Sequence, residues 1–165
     1  MVGVQIAISV PLQLAFVHLA SRWQGLALPA DTIAERLAFL ARWELVGAAV
    51  LLAMILFIAA ARPIWAATIG GSPSAPQLER HVRVQRNTLE QLALMAFAHA
   101  GLAVLLPVEE LQLIPALVGL FAISRLVYWV GYARNELFRT LGFVATFYPN
   151  IYALGPALWL AFGAQ

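Results

Sequence analysis

Eight consecutive residues, Arg83-Val84-Gln85-Arg86-Asn87-Thr88-Leu89-Glu90, open a long apolar run with a cluster of polar groups. On a helix, Arg83, Arg86, Asn87 and Glu90 stand at i, i+3, i+4 and i+7, so they share one face along roughly 10 Å of axis. Two guanidiniums, an amide and a carboxylate are thereby gathered at a membrane boundary, where such groups are expensive and mark a site. The competing reading is a solvated flank that sets topology by its positive charge. A second set, Arg125, Tyr128 and Tyr132, falls at i, i+3 and i+7 on a later apolar stretch, and Arg139 follows seven residues on. Arg125 is the deepest charge, and its expected partner is a carboxylate such as Glu90 or a backbone carbonyl.

The elements that carry these groups follow from composition. The chain has 165 residues and is 62% hydrophobic, with a mean hydropathy of +0.84. Long runs without charge (1–21, 45–61, 91–108 and 140–165), together with 111–133, which holds only Arg125, match the length of about 20 apolar residues that a span needs. Frequent Pro and Gly and the lack of strict alternation exclude a β-barrel. The class is therefore an all-α integral membrane protein. Every basic residue is an arginine, the net charge is only +2, and no basic block exists, so nucleic acid is not a partner. No cysteine is present, which excludes disulfides, protein thiolates and Cys-ligated metals; the three histidines lack metal-ligand spacing.

Three segments organise the chain. Residues 1–22 form an extra N-terminal hydrophobic helix, a span or a re-entrant piece with Pro11 inside. Residues 23–42 read as an amphipathic connector whose helix starts at Asp31 or Thr32, with no chemistry assigned to it. Residues 43–165 hold four spans, at about 43–62, 83–107, 111–134 and 140–164. The glycine- and proline-rich stretch within 64–77 is a loop without a phosphate-binding signature, and 135–139 reads as a polar turn. Pro149 and Pro156 are expected to kink the last span.

Charge sets the expected orientation. Arg62, Arg80, Arg83, Arg86, Arg134 and Arg139 fall on one side, and Arg22, Arg36 and Arg42 on the other, which puts the Arg83 side in the cytoplasm. The all-arginine, alanine-rich composition fits a bacterial inner membrane. This topology delivers residues 83–90 and 132–139 to one membrane level, so the two polar faces can meet within a subunit or across an interface. His99 and Met95 read as packing residues, His81 as a solvated neighbour, and Trp129 and Trp159 as packing or interface anchors.

The ordered set Arg-x-Gln-x-Asn-x-x-Glu at 83–90, Arg-x-x-Tyr-x-x-Gly-Tyr at 125–132, and Arg139 resembles the MAPEG family, the membrane-associated proteins of eicosanoid and glutathione metabolism. Within it, leukotriene C4 synthase and the microsomal glutathione transferases carry the most similar pattern. Arg62, before a Pro-containing loop, and Glu79-Arg80 fit as well. The resemblance covers about residues 43–164 and implies a four-helix transmembrane bundle assembled as a homotrimer, with glutathione as co-substrate between subunits. It implies that Arg62, Arg83, Gln85, Arg86, Asn87, Glu90 and Arg125 bind glutathione, joined by Tyr128 and Tyr132 of the adjacent subunit. Arg139 would hold and activate the thiol. A hydrophobic electrophile or lipid hydroperoxide would enter from the membrane lipid. The chain departs from the family at Gln91, where some members have tyrosine, at the extra charge Arg86, and over residues 1–42. The alternative role is a non-catalytic member of the same fold that binds a lipid, or a protein partner through residues 1–42. A channel or transporter ranks third, because the charges cluster at one boundary.

Overall fold

The computed structural model describes residues 2–22, 25–65, 76–134 and 136–163. Among the described residues, five helices follow in order: α1 Val2–Ser21, α2 Ile33–Trp65, α3 Pro76–Leu105, α4 Leu113–Arg134 and α5 Glu136–Leu158. A 3-10 turn, Val108–Glu110, joins α3 to α4, and a π-helical turn, Trp159–Gly163, ends α5. Three stretches, Ile33–Ile64, Pro76–Leu105 and Val108–Tyr132, are long and apolar enough to cross a membrane. Large apolar side chains on their outer surfaces stay exposed, such as Leu45 and Phe97. An exposed apolar girdle of this kind belongs against lipid, not water. The architecture is a transmembrane bundle of α2 to α5 with α1 added against α4 and α5.

Local chemistry explains the helix limits. Thr32 caps α2: its Oγ1 accepts from the Glu35 N–H at 3.3 Å, and its carbonyl accepts from the Arg36 N–H at 3.0 Å. Asp31, the other candidate cap, instead receives the Arg36 guanidinium at 2.6 and 2.9 Å. The same guanidinium donates to the carbonyls of Ala103 at 3.1 Å and Leu106 at 2.6 Å, which the end of α3 would leave without partners. Arg36 therefore clamps α2 to α3, a role its place in a polar connector did not reveal. Pro107 and the 3-10 turn then reverse the chain into α4.

Two boundaries differ from the sequence reading. Residues 33–42 are not a separate interfacial helix, because α2 runs unbroken from Ile33 to Trp65. Phe39 and Leu40 on its first half are buried with Met95, Ile114, Val118 and Phe121, so this stretch packs as bundle, not as surface. Residues 136–139, read as part of a polar turn, form the first turn of α5. Arg139 therefore sits on a helix. The glycine-rich loop assigned within 64–77 lies largely outside the described residues, as does the side chain of Trp65. Helix α5 continues through Pro149, and the π-helical turn begins three residues beyond Pro156.

The core is layered along the bundle. Near the arginine-rich end, Ile58 and Ala61 of α2 meet Leu78 of α3. One layer deeper, Met54, Val84 and Tyr128 join α2, α3 and α4. Farther on, the small residues Ala98, Ala153 and Ala157 let α3 and α5 approach around Leu102 and Leu117. Such small-residue contacts are how helices gain packing in lipid, where no hydrophobic drive separates them from the tails.

Candidate functional site

The inner half of α3 buries Val84, Thr88, Gln91 and Met95. This stripe turns Arg83, Arg86 and Glu90 outward and leaves Gln85 and Asn87 half-buried at its edge. Arg83 meets Glu79 at 3.5 Å, and Arg86 Nε meets Glu90 Oε1 at 3.7 Å. Both are exposed i, i+4 pairs, worth at most about 1 kcal/mol each, so an anionic ligand can displace them with little loss.

Asn87 connects this face to α4. Its Oδ1 accepts from Arg125 Nη1 at 2.9 Å. Arg125 is wholly buried. Its Nη2 donates to the Gly142 carbonyl at 3.2 Å and to Thr146 Oγ1, both on α5. The guanidinium also lies over the Tyr128 ring, 4.6 Å from its centroid, and 5.8 Å from that of Phe121. One residue thus ties three helices. The carbonyl partner agrees with the sequence reading, whereas Glu90 is not its partner and pairs with Arg86 instead. Gly142 makes the arrangement possible. A Cβ there would stand 2.5 Å from the Tyr128 backbone nitrogen, so only glycine lets α5 approach α4 this closely.

Above Arg125, the rings of Tyr128 and Tyr132 pack edge to face at 5.6 Å. The Arg139 guanidinium, from the first turn of α5, lies over Tyr132 at 5.5 Å from its centroid. Asn87, Arg125, Tyr128, Tyr132 and Arg139 therefore form a continuous polar seam through α3, α4 and α5. Arg83 and Arg86 stand on the outer side of α3 and pair with carboxylates of their own helix. Arg62, exposed in the last turn of α2, reaches the same end of the bundle through the contact of Ile58 and Ala61 with Leu78.

Three polar features escaped the sequence reading. Asn150 Nδ2 donates to the Gln91 carbonyl at 2.9 Å and to Gln91 Oε1 at 3.0 Å, both buried. With Gly142 and Thr146 it makes an i, i+4, i+8 stripe on α5, a periodic signal that was present in the sequence. His99, expected to pack, is buried, and it also meets Glu44 across α2 and α3, Nδ1 to Oε1 at 2.6 Å. His81 is not simply solvated. It accepts the Trp129 Nε1–H at Nδ1, 2.9 Å, and packs on Phe57 at 4.7 Å. Phe57, His81, Trp129, Val130 and Arg134 line an open cavity of about 310 Å³ at this end.

No group of three or more metal-ligating side chains occurs among the described residues. The family model of the MAPEG family matches residues 43–159, from the middle of α2 to the end of α5. Transmembrane protein 79 of Bos taurus is 37% identical over 105 residues, which are 64% of this chain and 24% of that protein. Transmembrane protein 79 of Mus musculus is 40% identical over 73 residues, 44% of this chain and 19% of that protein. The chain thus matches about a quarter or less of the length of these relatives. The family match takes in α2 from Trp43 onward, all of α3, α4 and α5, and every residue of the polar seam, and the chain belongs to the MAPEG family.

Proposed function

We propose that the protein is a glutathione-dependent membrane transferase or peroxidase that acts on a hydrophobic electrophile or lipid hydroperoxide. The observation that carries this reading is the Asn87–Arg125 hydrogen bond, because it locks the polar face of α3 against the helix bearing Tyr128 and Tyr132. Glutathione offers two carboxylates, two amides and one ammonium. Arg62, Arg83 and Arg86 match the carboxylates, Gln85 and Asn87 the amides, and Glu90 the ammonium. Arg139 is the thiol partner. A free thiol has a pKa of about 8.5, and lowering it to about 6.5 takes roughly 2.7 kcal/mol of preference for the thiolate. One charge-assisted hydrogen bond supplies about 1.5–3 kcal/mol. The first turn of α5, which carries Arg139, adds the positive end of a helix dipole.

The thiolate then attacks the apolar partner. With an electrophile, a carbon–sulfur bond forms and the leaving group departs with the electron pair. With a hydroperoxide, sulfur takes the terminal oxygen, the O–O bond breaks, and the alcohol leaves after gaining a proton; a second glutathione then reduces the sulfenic product to the disulfide and water. The cavity beside Phe57 and Trp129 is an entry for the apolar partner from the bilayer. The proposed assembly is a homotrimer with the arginine-rich end cytoplasmic, in which an adjacent subunit brings the half-buried Tyr132 and Arg139 end of its seam to the exposed face of α3.

A second reading is favoured by one feature. Asn87 Oδ1 and Arg125 Nη1 already pair with each other, and Arg125 Nη2 holds the Gly142 carbonyl, so the seam can serve as a structural tie between helices. On that reading the protein is a non-catalytic binder of a lipid or of a protein partner through residues 1–42. Ultraviolet difference spectra separate the two. Thiolate absorbance on titration with glutathione, absent in Arg139→Ala, supports catalysis; its absence at saturation leaves the binding role.

A further inference from the structure

Helix α1 lies outside the family match, and its seat on α4 and α5 is incompletely filled. Gln13, in the middle of α1, is 5% exposed. Neither its Oε1 nor its Nε2 has a hydrogen-bond partner among the described residues. Buried amides without partners are rare, and in lipid no water is at hand to relieve them. Gln13 lines a cavity of about 70 Å³ with Leu14 and Val17 of α1, Leu117 of α4, and Tyr152 and Ala153 of α5. A void needs roughly 10–15 Å³ for one water. This one accommodates several waters or a short stretch of an acyl chain, not a whole lipid.

Its depth and lining narrow the occupant. Ser21, at the end of α1, borders a cavity with Glu109 and Glu110 and so marks the membrane boundary on the acidic-turn side. Gln13 is eight residues away, roughly 12 Å deeper, which is close to the middle of a hydrocarbon core about 30 Å thick. No charged side chain lines the cavity, so an ionised group is not accepted there. The amide presents one acceptor and one donor to whatever fills the space.

We propose that this cavity is a lipid site that takes the middle of one acyl chain carrying a neutral donor–acceptor group, such as a mid-chain hydroxyl, hydrogen-bonded to Gln13. The apolar lining holds the flanking methylenes, and the amide selects the oxygenated chain over a plain one. The site does not depend on the glutathione reading, since it is built by α1 with the acidic-turn end of α4 and the second half of α5, away from Tyr132 and Arg139.

The test uses the full chain in nonionic detergent, with radiolabelled 12-hydroxystearic acid and stearic acid as probes. These differ only in one mid-chain hydroxyl. The wild type is expected to bind the hydroxy acid about tenfold more tightly, the value of roughly one hydrogen bond. Gln13→Met, of similar length and without the amide, should bind both acids equally and melt no lower than the wild type. Equal binding of the two acids by the wild type overturns the proposal without recourse to any variant, and means that water satisfies Gln13. A preference that survives in folded Gln13→Met also overturns it.

Discussion

At the scale of single residues, Arg125 decides how the polar seam should be read. It is a wholly buried cation held by an amide oxygen, a carbonyl, a hydroxyl and two aromatic faces. Replacing it by methionine removes the charge and nearly preserves volume, but leaves Asn87 Oδ1 buried without its donor. That loss costs about 1–3 kcal/mol. Asn87→Leu made together with Arg125→Met should recover most of it, as a double-mutant cycle in thermal unfolding would read directly. Both variants should lose glutathione binding on the proposed reading, so stability and binding separate in the double variant. The residue types and spacings of this site were legible in the sequence, since Arg83 to Glu90 and Arg125 to Tyr132 each mark a helical face. The partners of Arg125 were only half legible. A backbone carbonyl such as that of Gly142 has no sequence signature, and the nearest obvious counter-charge, Glu90, turned out to serve Arg86.

At the scale of elements, the contact of α4 with α5 rests on a missing side chain. Gly142→Ala places a methyl 2.5–2.6 Å from the backbone and Cβ of Tyr128. Backbone cannot swing aside, so the helices must part and Arg125 loses its hold on the Gly142 carbonyl. Overpacking of this kind costs about 1–3 kcal/mol, measurable as a lowered melting temperature. A second element-level device is the Arg36 clamp. Arg36→Ala takes this donor from the carbonyls of Ala103 and Leu106 and leaves Asp31 without the Arg36 ion pair. The expected loss is again about 1–3 kcal/mol, whereas Arg22→Ala, at an exposed position, should change stability by less than about 0.5 kcal/mol. These devices explain why boundaries were less legible than spans. The polar letters of 31–42 and 135–139 resemble connectors, but Arg36 spends its charge inside the bundle, and residues 136–139 begin a helix. Composition reports polarity, not where a long side chain ends.

At the scale of the whole molecule, the bundle separates its chemistry by level. Arginines crowd one end, the acidic turn at Glu109 and Glu110 lies at the other, and the amides and hydroxyls of Gln91, Thr146 and Asn150 occupy the interior between them. The overall class was the most legible feature, because twenty-residue apolar runs leave only helices as a solution. The orientation is testable because the chain has no cysteine of its own. With Arg86→Cys and Glu110→Cys introduced singly, a membrane-impermeant maleimide should label the first only from the cytoplasmic face and the second only from the opposite face. Labelling of both from one face would contradict the arrangement of α3 and α4 as an antiparallel pair of spans.

On the proposed reading the seam from Asn87 to Arg139 ionises a bound thiol, and the ultraviolet difference spectrum with glutathione reports that ionisation. Titrating the purified protein near neutral pH should raise thiolate absorbance to a saturating level. Arg139→Ala should abolish that signal while melting as the wild type does. Saturable glutathione binding without the absorbance, or an absorbance that persists in Arg139→Ala, would contradict it.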